Sequence, residues 1–404
     1  MARRRTGLAA LLLSAAMMNV AYTMLVPLVP ELTDRFQMSA LSVAAAFSGF
    51  ALAKAFGQPL GGVLVDRTPR PQVLAVIGLF LTSATVVGLA FAGAGWQVLA
   101  WRLAWGVAEG ITMPALYHLA SSLGASSRYG TARVMGWFGG CCTAGMVIGP
   151  AVVGLLHPFL GFTGVFLAGA AVTAGGGLLL IGLRVGEPAE TEPEPAGDAP
   201  VATGAVRRLV LLVGIFAVVD LINNALFAAL EPVVPLHLDR VTGNGVGYTS
   251  VIFTASLAVF MLVALTCGRL VETRPLLVIS AFAFGAEAVG LAGVGLFDGI
   301  AAMGAGLLLF MTAEPVLYLV ARQGVSLVPR HQLGRAFGAF GLVSDIGFIV
   351  GPLLGALAYF RLGTTAFLIM ALVAAAACVT AVLLRRTPDR LLAGAPAPRT
   401  EETV

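Results

Sequence analysis

Apolar residues occur along this chain in long segments, separated by short stretches that carry most of the charges. Each of twelve such segments is close to the roughly 20 residues that a helix needs to cross a bilayer. They cover 7–30, 41–65, 73–94, 97–120, 134–156, 162–184, 209–236, 248–268, 276–297, 300–323, 336–358 and 364–384. Because helices satisfy all their own backbone polar groups inside lipid, the pattern predicts an all-α membrane protein with twelve transmembrane helices.

The twelve segments fall into two groups of six on either side of a polar stretch. Residues 185–206 are rich in Glu, Pro, Ala and Gly and show no periodic apolar face, which is typical of a disordered linker. We therefore expect an N-terminal six-helix bundle over 1–184 and a C-terminal six-helix bundle over 207–386. The linker and a tail over 387–404 are expected to be cytoplasmic.

The two groups repeat each other in sequence. Four positions of one apolar segment recur 202 residues later: Gly136, Gly145, Gly149 and Pro150 return as Gly338, Gly347, Gly351 and Pro352. Small residues at helical spacing let two helix backbones approach closely in lipid, and a proline removes a backbone donor and loosens the helix. These runs are predicted to act as packing and hinge segments, one in each of two pseudo-symmetric bundles.

A polar turn after the second apolar segment also has a counterpart. The turn is marked by Gly62, Asp66, Arg67 and Arg70, and a similar run begins 206 residues later at Gly268. An acidic group at a helix end that faces basic residues can hold neighbouring helices together through charge and dipole contacts. We expect this turn to gate the cytoplasmic end of the molecule by locking and releasing it.

Composition agrees with a membrane protein and excludes a soluble one. Hydrophobic residues make up 58% of the 404 and charged residues 11%. In the predicted topology nineteen arginines lie on the side of the two termini and three on the other, Arg35, Arg240 and Arg361. This bias places both termini in the cytoplasm. The abundance of arginine, alanine and glycine favours a bacterial protein, whose membrane would be the inner (plasma) membrane.

Several other functions lack support in the sequence. The four cysteines and four histidines show no metal-ligand spacing, so we expect no metal, no cofactor and no disulfide framework. The arginines lie along loop edges and form no patch that would bind nucleic acid. Neither an HExxH helix nor a GxSxG elbow occurs, which argues against an enzyme. A receptor that signals without transport remains an alternative.

Charged residues inside the predicted spans are the candidates for chemistry, because a charge at a span centre costs roughly 2.5 to 3.5 kcal/mol. They are Lys54, Arg102, Glu109, Asp220, Glu231, Glu314 and Asp345. They would carry coupling protons or contact the substrate in a central cavity. The structural alternatives are fixed ion pairs and, for Glu231, capping of a helix break at Pro232. Glu287 lies on a helix expected to face lipid, so either its face turns inward or the predicted helix boundary is wrong, and it is left out of the site.

Uncharged side chains at helical spacing from these charges are candidates for the cavity lining. They are Asn19, Tyr22, Met113, Tyr117, Asn223, Asn224, Phe227 and Tyr318. Met113 and Tyr117 continue a stripe that begins at Arg102 and Glu109, seven residues apart on one helix face. Packing inside the bundle is the alternative for each aromatic residue.

Three of these stretches resemble motifs of the major facilitator superfamily. The turn from Gly62 to Arg70 resembles the loop between helices 2 and 3, with Pro69 where glycine is usual. Leu99-Ala100-Trp101-Arg102, followed by Gly106 and Gly110, is similar to the helix 4 motif, whose arginine is associated with proton coupling. Gly136 to Gly154 is similar to the helix 5 motif of the twelve-helix drug and proton antiporters.

A fourth stretch connects the chain to a branch of these antiporters. Leu230-Glu231-Pro232 with Pro235 is similar to the vesicular amine transporters, although Met18 stands where that branch carries an aspartate. The resemblance covers essentially the whole chain outside the linker and tails. It implies two six-helix bundles around a central cavity that opens alternately to either side of the membrane.

The leading functional prediction is proton-coupled export of a small amphipathic organic compound or drug, cationic or neutral. The alternative is a proton-coupled importer or a uniporter of a small metabolite. The expected partners are the small-molecule substrate, protons and the lipid bilayer, and we expect a monomer. The predicted interior carries more acids than bases, which favours protons and cations.

Overall fold

The computed structural model describes residues 2–181, 203–297, 299–328 and 333–393, and these ranges contain fourteen α-helices. The helices are α1 Ala2–Met24, α2 Val29–Phe36, α3 Ala40–Arg67, α4 Pro71–Ala90, α5 Gly95–Ala125, α6 Thr131–Ile181, α7 Thr203–Thr242, α8 Gly245–Thr266, α9 Gly268–Thr273, α10 Leu276–Leu296, α11 Ile300–Ser326, α12 Leu333–Leu362, α13 Thr365–Leu384 and α14 Thr387–Ala393. A short 3-10 helix, Val26–Leu28, joins α1 to α2.

The described helices account for the twelve predicted spans. Ten stretches are long and apolar enough to cross a membrane. One of them lies in α6, which Gly161, with φ at 61°, divides into two crossings. The helix α5 is 31 residues long and packs against α3, α4 and α6, so it supplies the remaining crossing. The all-α fold of two six-span halves, α1–α6 and α7–α14, is thereby confirmed.

The region between the two halves corrects one predicted boundary. Helix α7 begins at Thr203, so the linker predicted over 185–206 extends too far at its C-terminal end. The rest of that linker lies outside the described residues. Of the predicted tail, 387–393 forms α14, and 394–404 lies outside the described residues.

Glycines bring the same pair of helices into contact in each half. A Cβ atom on Gly145 of α6 would lie 2.1 Å from a backbone oxygen of α1, that of Ala16. A Cβ atom on Gly347 of α12 would lie 2.4 Å from a backbone oxygen of α7, that of Leu221. Gly149 and Gly351 repeat the contact one turn further along. Only glycine permits helices to pack this closely.

The first glycine of each run does not take part in this packing. A Cβ atom on Gly136 or Gly338 would meet nothing within 4 Å among the described residues. Pro150 and Pro352 lie inside continuous helix, and the one non-helical position in α6 is Gly161. The role of both prolines as hinges therefore stays a prediction.

The two halves meet at one end of the molecule and separate at the other. We call the end that carries α9 and α14 the terminal face, and the end that carries α2 the opposite face. Near the opposite face one buried apolar cluster combines residues of both halves, among them Met24, Leu28, Leu230 and Val234. Toward the terminal face each half has its own apolar cluster. The space between the halves, here called the central space, is therefore open at the terminal face.

Candidate functional site

An ion pair lies inside the N-terminal half, where α3 and α5 touch through their backbones. A Cβ atom on Gly110 of α5 would lie 2.8 Å from the Cα atom of Gly57 of α3. This close packing brings the Lys54 Nζ atom to 2.5 Å from Glu109 Oε1. The Glu109 side chain is 4% exposed and that of Lys54 28%. Lys54 is thus the more solvent-accessible partner of this partly buried ion pair.

Arg102 lies in an aromatic pocket instead of facing the central space with Glu109. It is fully buried, and its guanidinium carbon is 4.3 Å from the ring centroid of Phe50 and 5.0 Å from that of Trp105. Its Nε atom donates to the backbone oxygen of Ala46 at 3.4 Å. Aromatic faces attract a cation, which explains how this charge is accommodated. The shared cavity expected for Arg102 and Glu109 is therefore wrong for Arg102.

Glu231 connects the two halves at the closed end of the central space. Tyr22 of α1 donates its hydroxyl to Glu231 Oε1 of α7 at 3.2 Å, and Glu231 is buried. Helix α7 continues through Pro232 without a break, so Glu231 does not cap a helix end. The aromatic pocket adjoins this contact, because the Arg102 guanidinium carbon is 5.9 Å from the Tyr22 ring centroid.

A polar network surrounds Asp220 in the C-terminal half. Arg322 of α11 donates to Asp220 Oδ1 at 3.0 Å, and Ser344 of α12 donates its hydroxyl to Asp220 Oδ2. Asn224 donates to the Ser344 hydroxyl at 2.8 Å and to Asp220 Oδ2 at 3.3 Å. Asp220 is fully buried, so the network compensates its charge inside the bundle.

Sequence reasoning missed Arg322 and Ser344. Arg322 was assigned to the cytoplasmic side by the arginine count, yet its guanidinium carbon lies 3.3 Å from the ring centroid of Tyr318 and its side chain reaches back to Asp220. Glu314, Tyr318 and Arg322 follow one another at intervals of four, and this helical spacing would have placed Arg322 on the polar face of α11. No motif or helical spacing in the sequence indicates that Ser344 belongs to this network.

Glu314 and Glu287 form a second buried polar group beside this network. Asn223 of α7 donates its Nδ2 to Glu314 Oε1 at 3.4 Å. Glu287 of α10 is fully buried, so its face of this helix turns inward, which is one of the two alternatives left open by the sequence. The physical reason is that Gly290 and Gly306 bring α10 and α11 into backbone contact, which covers this face of α10.

Asp345, Tyr117 and Tyr318 face the central space. Tyr117 of α5 and Tyr318 of α11 belong to different halves, are 46% and 40% exposed, and lie near each other across the central space. Asp345 is half-buried, and among the described residues no hydrogen bond or ion pair engages it. It lies within electrostatic range of Lys54 in the other half. The side chains that line the central space are therefore those of Lys54, Tyr117, Tyr318 and Asp345.

The remaining lining candidates are more enclosed than predicted. Phe227 is buried and packs edge-on against Phe348, with ring centroids 6.3 Å apart. Met113 packs against the apolar cluster of the N-terminal half. Asn19 donates to the backbone oxygen of Ala15 at 2.9 Å and lies beside Cys142.

The predicted gating turn forms no lock in this conformation. Asp66, Arg67 and Arg70 are exposed at the terminal face, and Gly62 is half-buried. In the part of the chain that the structure describes, no ion pair or hydrogen bond of these three charged side chains is found. This agrees with a central space that is open at the terminal face.

Comparison with protein families decides the class of this molecule. Residues 11–347 match the model of the Major Facilitator Superfamily. The chain belongs to this superfamily. As a member of it, the protein is a multi-pass membrane transporter and not an enzyme.

Individual relatives of this superfamily member are distant. It is 26% identical over 325 residues to a Lactococcus lactis protein named as a homologue of the multi-drug resistance efflux pump PmrA, a match that covers 77% of this chain and 76% of that protein. The structure of a bacterial homologue of the human lysosomal transporter Spinster, inward-facing and unoccupied, matches with a TM-score of 0.74 and 15% identity over 98% of this chain and 99% of that one. A mutant of the nucleoside transporter NupG matches with a TM-score of 0.74 and 16% identity over 95% and 99%. At these identities the structures show the shared fold.

The geometry gives this superfamily member two kinds of acidic group. Asp220 and Glu109 are paired with a cation from a neighbouring helix of their own half. Asp345 lies in the central space without such a direct partner among the described residues, and Glu231 is bonded across the halves to Tyr22. Paired acids stabilise the bundle, whereas an acid in the open space can take up a proton or a polar ligand.

Proposed function

We propose that this transporter exports a small amphipathic organic compound, cationic or neutral, in exchange for protons by alternating access. The observation that carries the proposal is Asp345, an acid that faces the central space and has no direct partner among the described residues. One carboxylate can hold a proton or the polar group of a substrate, but not both. Competition for one group is the simplest physical basis of exchange.

The walls of the central space support an amphipathic substrate. Tyr117 and Tyr318 expose aromatic rings from the two halves, and aromatic faces bind apolar surface and cations alike. Asp345 supplies negative charge between them, and Lys54 is already paired with Glu109. A compound with an apolar body and a cationic or hydrogen-bonding group fits this arrangement better than a multiply charged anion.

Two observations support export over uptake. The arginine distribution favours a cytoplasmic terminal face, so the open central space would load its substrate from the cytoplasm. The relative named as a homologue of a multi-drug efflux pump is in line with the same direction. A proton that returns down the membrane potential gains roughly 2.3 kcal/mol per 100 mV, which can drive extrusion. We place the protein in a bacterial plasma membrane.

The contact between Tyr22 and Glu231 gives this exchange a gate. It joins the halves at the opposite face while the terminal face is open. When the opposite face opens, α1 and α7 must separate and the hydrogen bond must break. A proton on Glu231 would ease that separation, because a neutral carboxylic acid accepts a hydrogen bond more weakly than a carboxylate.

The experiment uses everted membrane vesicles that contain the transporter and are acidified inside. Addition of a substrate from a panel of cationic and neutral amphipathic compounds should cause protons to leave the vesicle as the compound enters. Asp345→Asn should abolish this flux, whereas Asp34→Asn, an exposed aspartate at the opposite face, should keep it. Substrate uptake without proton movement would contradict the coupling. Flux in the opposite direction would favour an importer or a uniporter.

A further inference from the structure

Glu287 is buried in a way that demands a partner. The side chain is fully buried, and among the described residues neither carboxylate oxygen has a hydrogen-bond donor. A Cβ atom on Gly290, one turn further along α10, would lie 2.6 Å from the backbone oxygen of Gly306 in α11, so no solvent gap separates the two helices there. An isolated ionised carboxylate is very unfavourable in such surroundings. Glu287 must therefore be neutral or accompanied by a cation.

The neighbours of Glu287 add further hydrogen-bond acceptors and no unused donor. Glu314 acts on Glu287 electrostatically, and Glu314 Oε2 is buried without a partner in the described part of the chain. Asn223 uses its Nδ2 to bond Glu314 Oε1, and its own Oδ1 is likewise buried and unpartnered. Asn223 is not an acid, so its unused oxygen is a separate indication that a donor is missing. In total, four oxygen atoms of these three side chains lack a hydrogen-bond donor among the described residues.

No described cation forms an ion pair with this group, although Arg322 acts on Glu314 electrostatically from beyond ion-pair distance. Helix α10 packs chiefly against α11 and α13. The charged residues of α11 are Glu314 and Arg322, and Arg322 is bonded to Asp220 at 3.0 Å. Helix α13 contributes no charged residue, and its one titratable side chain is the half-buried Cys378. The missing donor therefore has to come from a bound species.

We propose that Glu287 and Glu314 bind one proton between them. The proton is bonded to a carboxylate oxygen of Glu287, and the resulting O–H group donates a hydrogen bond to Glu314. A hydronium ion in the central space supplies the proton: one of its O–H bonds breaks and leaves water, and one O–H bond forms on Glu287. It removes one of two neighbouring buried charges and supplies the donor that the group lacks. The side chains of Asp220, Asn223 and Glu314 mark a polar route from the central space to this pair.

This pair lies apart from the open space in which a substrate would bind. In the exchange proposed above it holds a second proton, in addition to the one that competes with the substrate at Asp345, and no substrate displaces it. That role rests on the proposed function, whereas the binding of the proton does not. The two statements can therefore be tested separately.

Infrared difference spectroscopy on the purified full-length transporter tests the binding of the proton. The carbonyl stretch of a protonated carboxyl group should be present at neutral pH and disappear as the pH is raised. We expect Glu287→Gln to lose this band and the control Asp34→Asn to keep it. Because glutamine is nearly isosteric with the protonated acid, Glu287→Gln should have the same unfolding temperature as the native protein. A spectrum of folded Glu287→Gln identical to the native spectrum would overturn the proposal.

A sodium ion is the competing occupant of the same oxygens. Thermal unfolding in sodium chloride and in choline chloride should give equal midpoints for the native protein. A sodium-dependent rise in the midpoint that Glu287→Gln abolishes would overturn the proton assignment. If the infrared result is as expected but vesicles show no proton exchange, the pair still binds a proton and the proposed antiport is what fails.

Discussion

The N-terminal and C-terminal halves share a scaffold but not their buried chemistry. Gly145 packs against Ala16 as Gly347 packs against Leu221, with an offset of about 200 residues between the halves. The acids do not follow this symmetry. At an offset of 205 residues Asp220 and Glu231 correspond to Ala15 and Val26. At an offset of 201, which aligns Pro315 with Pro114, Glu314 corresponds to Met113. In the other direction, Lys54 corresponds to Phe260 at an offset of 206 and Glu109 to Phe310 at an offset of 201.

If the protein works by the proposed alternating access, this difference separates two requirements. Close helix packing has to be the same in both halves, because each half moves as a unit. The charges do not have to be duplicated, since one set of acids is enough for the proposed binding of a proton and a substrate. The N-terminal half therefore supplies a cation near the central space, and the C-terminal half supplies most of the acids.

The largest expected effect comes from the ion pair of the N-terminal half. Lys54→Met leaves the Glu109 carboxylate buried without its partner, which should lower the free energy of unfolding by about 3 kcal/mol. Replacement of both residues by methionine should recover most of this loss, because the C-terminal half has two phenylalanines at the corresponding positions. Thermal unfolding in detergent measures both. A double variant as unstable as Lys54→Met would mean that this site, unlike its counterpart, cannot be apolar.

The next effect tests whether the scaffold is equivalent in the two halves. Gly145→Leu and Gly347→Leu should each destabilise the protein by roughly 2 kcal/mol, because their side chains would enter a backbone contact. Gly136→Leu and Gly338→Leu should have little effect, since open space surrounds both positions. The yield of folded protein and its unfolding temperature check the four variants. Tolerance of leucine at only one of the two contacts would break the symmetry.

The sequence predicted the spans well because a span depends on local composition. Twelve apolar segments and the duplicated glycine runs are properties of neighbouring residues, and the structure has helices at each segment. The boundaries were less accurate. Residues 203–206 lack an apolar face and were assigned to the linker, yet α7 already includes them.

The site was less predictable because it depends on which face each helix turns toward its neighbours. Arg102 shares a helix face with Glu109 by spacing, but aromatic residues of α3 enclose it. Glu287 lies on a helix that the sequence predicts to face lipid, and contact through Gly290 and Gly306 buries its face of that helix. Arg322 was assigned to a loop side, although its long side chain reaches Asp220 across to another helix. The spacing within α11 indicates the face on which Arg322 lies, but the partner helix in each of these contacts cannot be inferred from the spacing of a single segment.

The most direct test of the account is the pH dependence of substrate affinity for the purified transporter. If a proton and the substrate compete for Asp345, the Kd should rise by up to about tenfold for each pH unit on the acidic side of the titration. Affinity is thus highest at alkaline pH, where the carboxylate is free. Asp345→Asn should bind weakly and show no such slope, and Asp34→Asn should behave like the native protein. A native Kd that is independent of pH would contradict competition between proton and substrate.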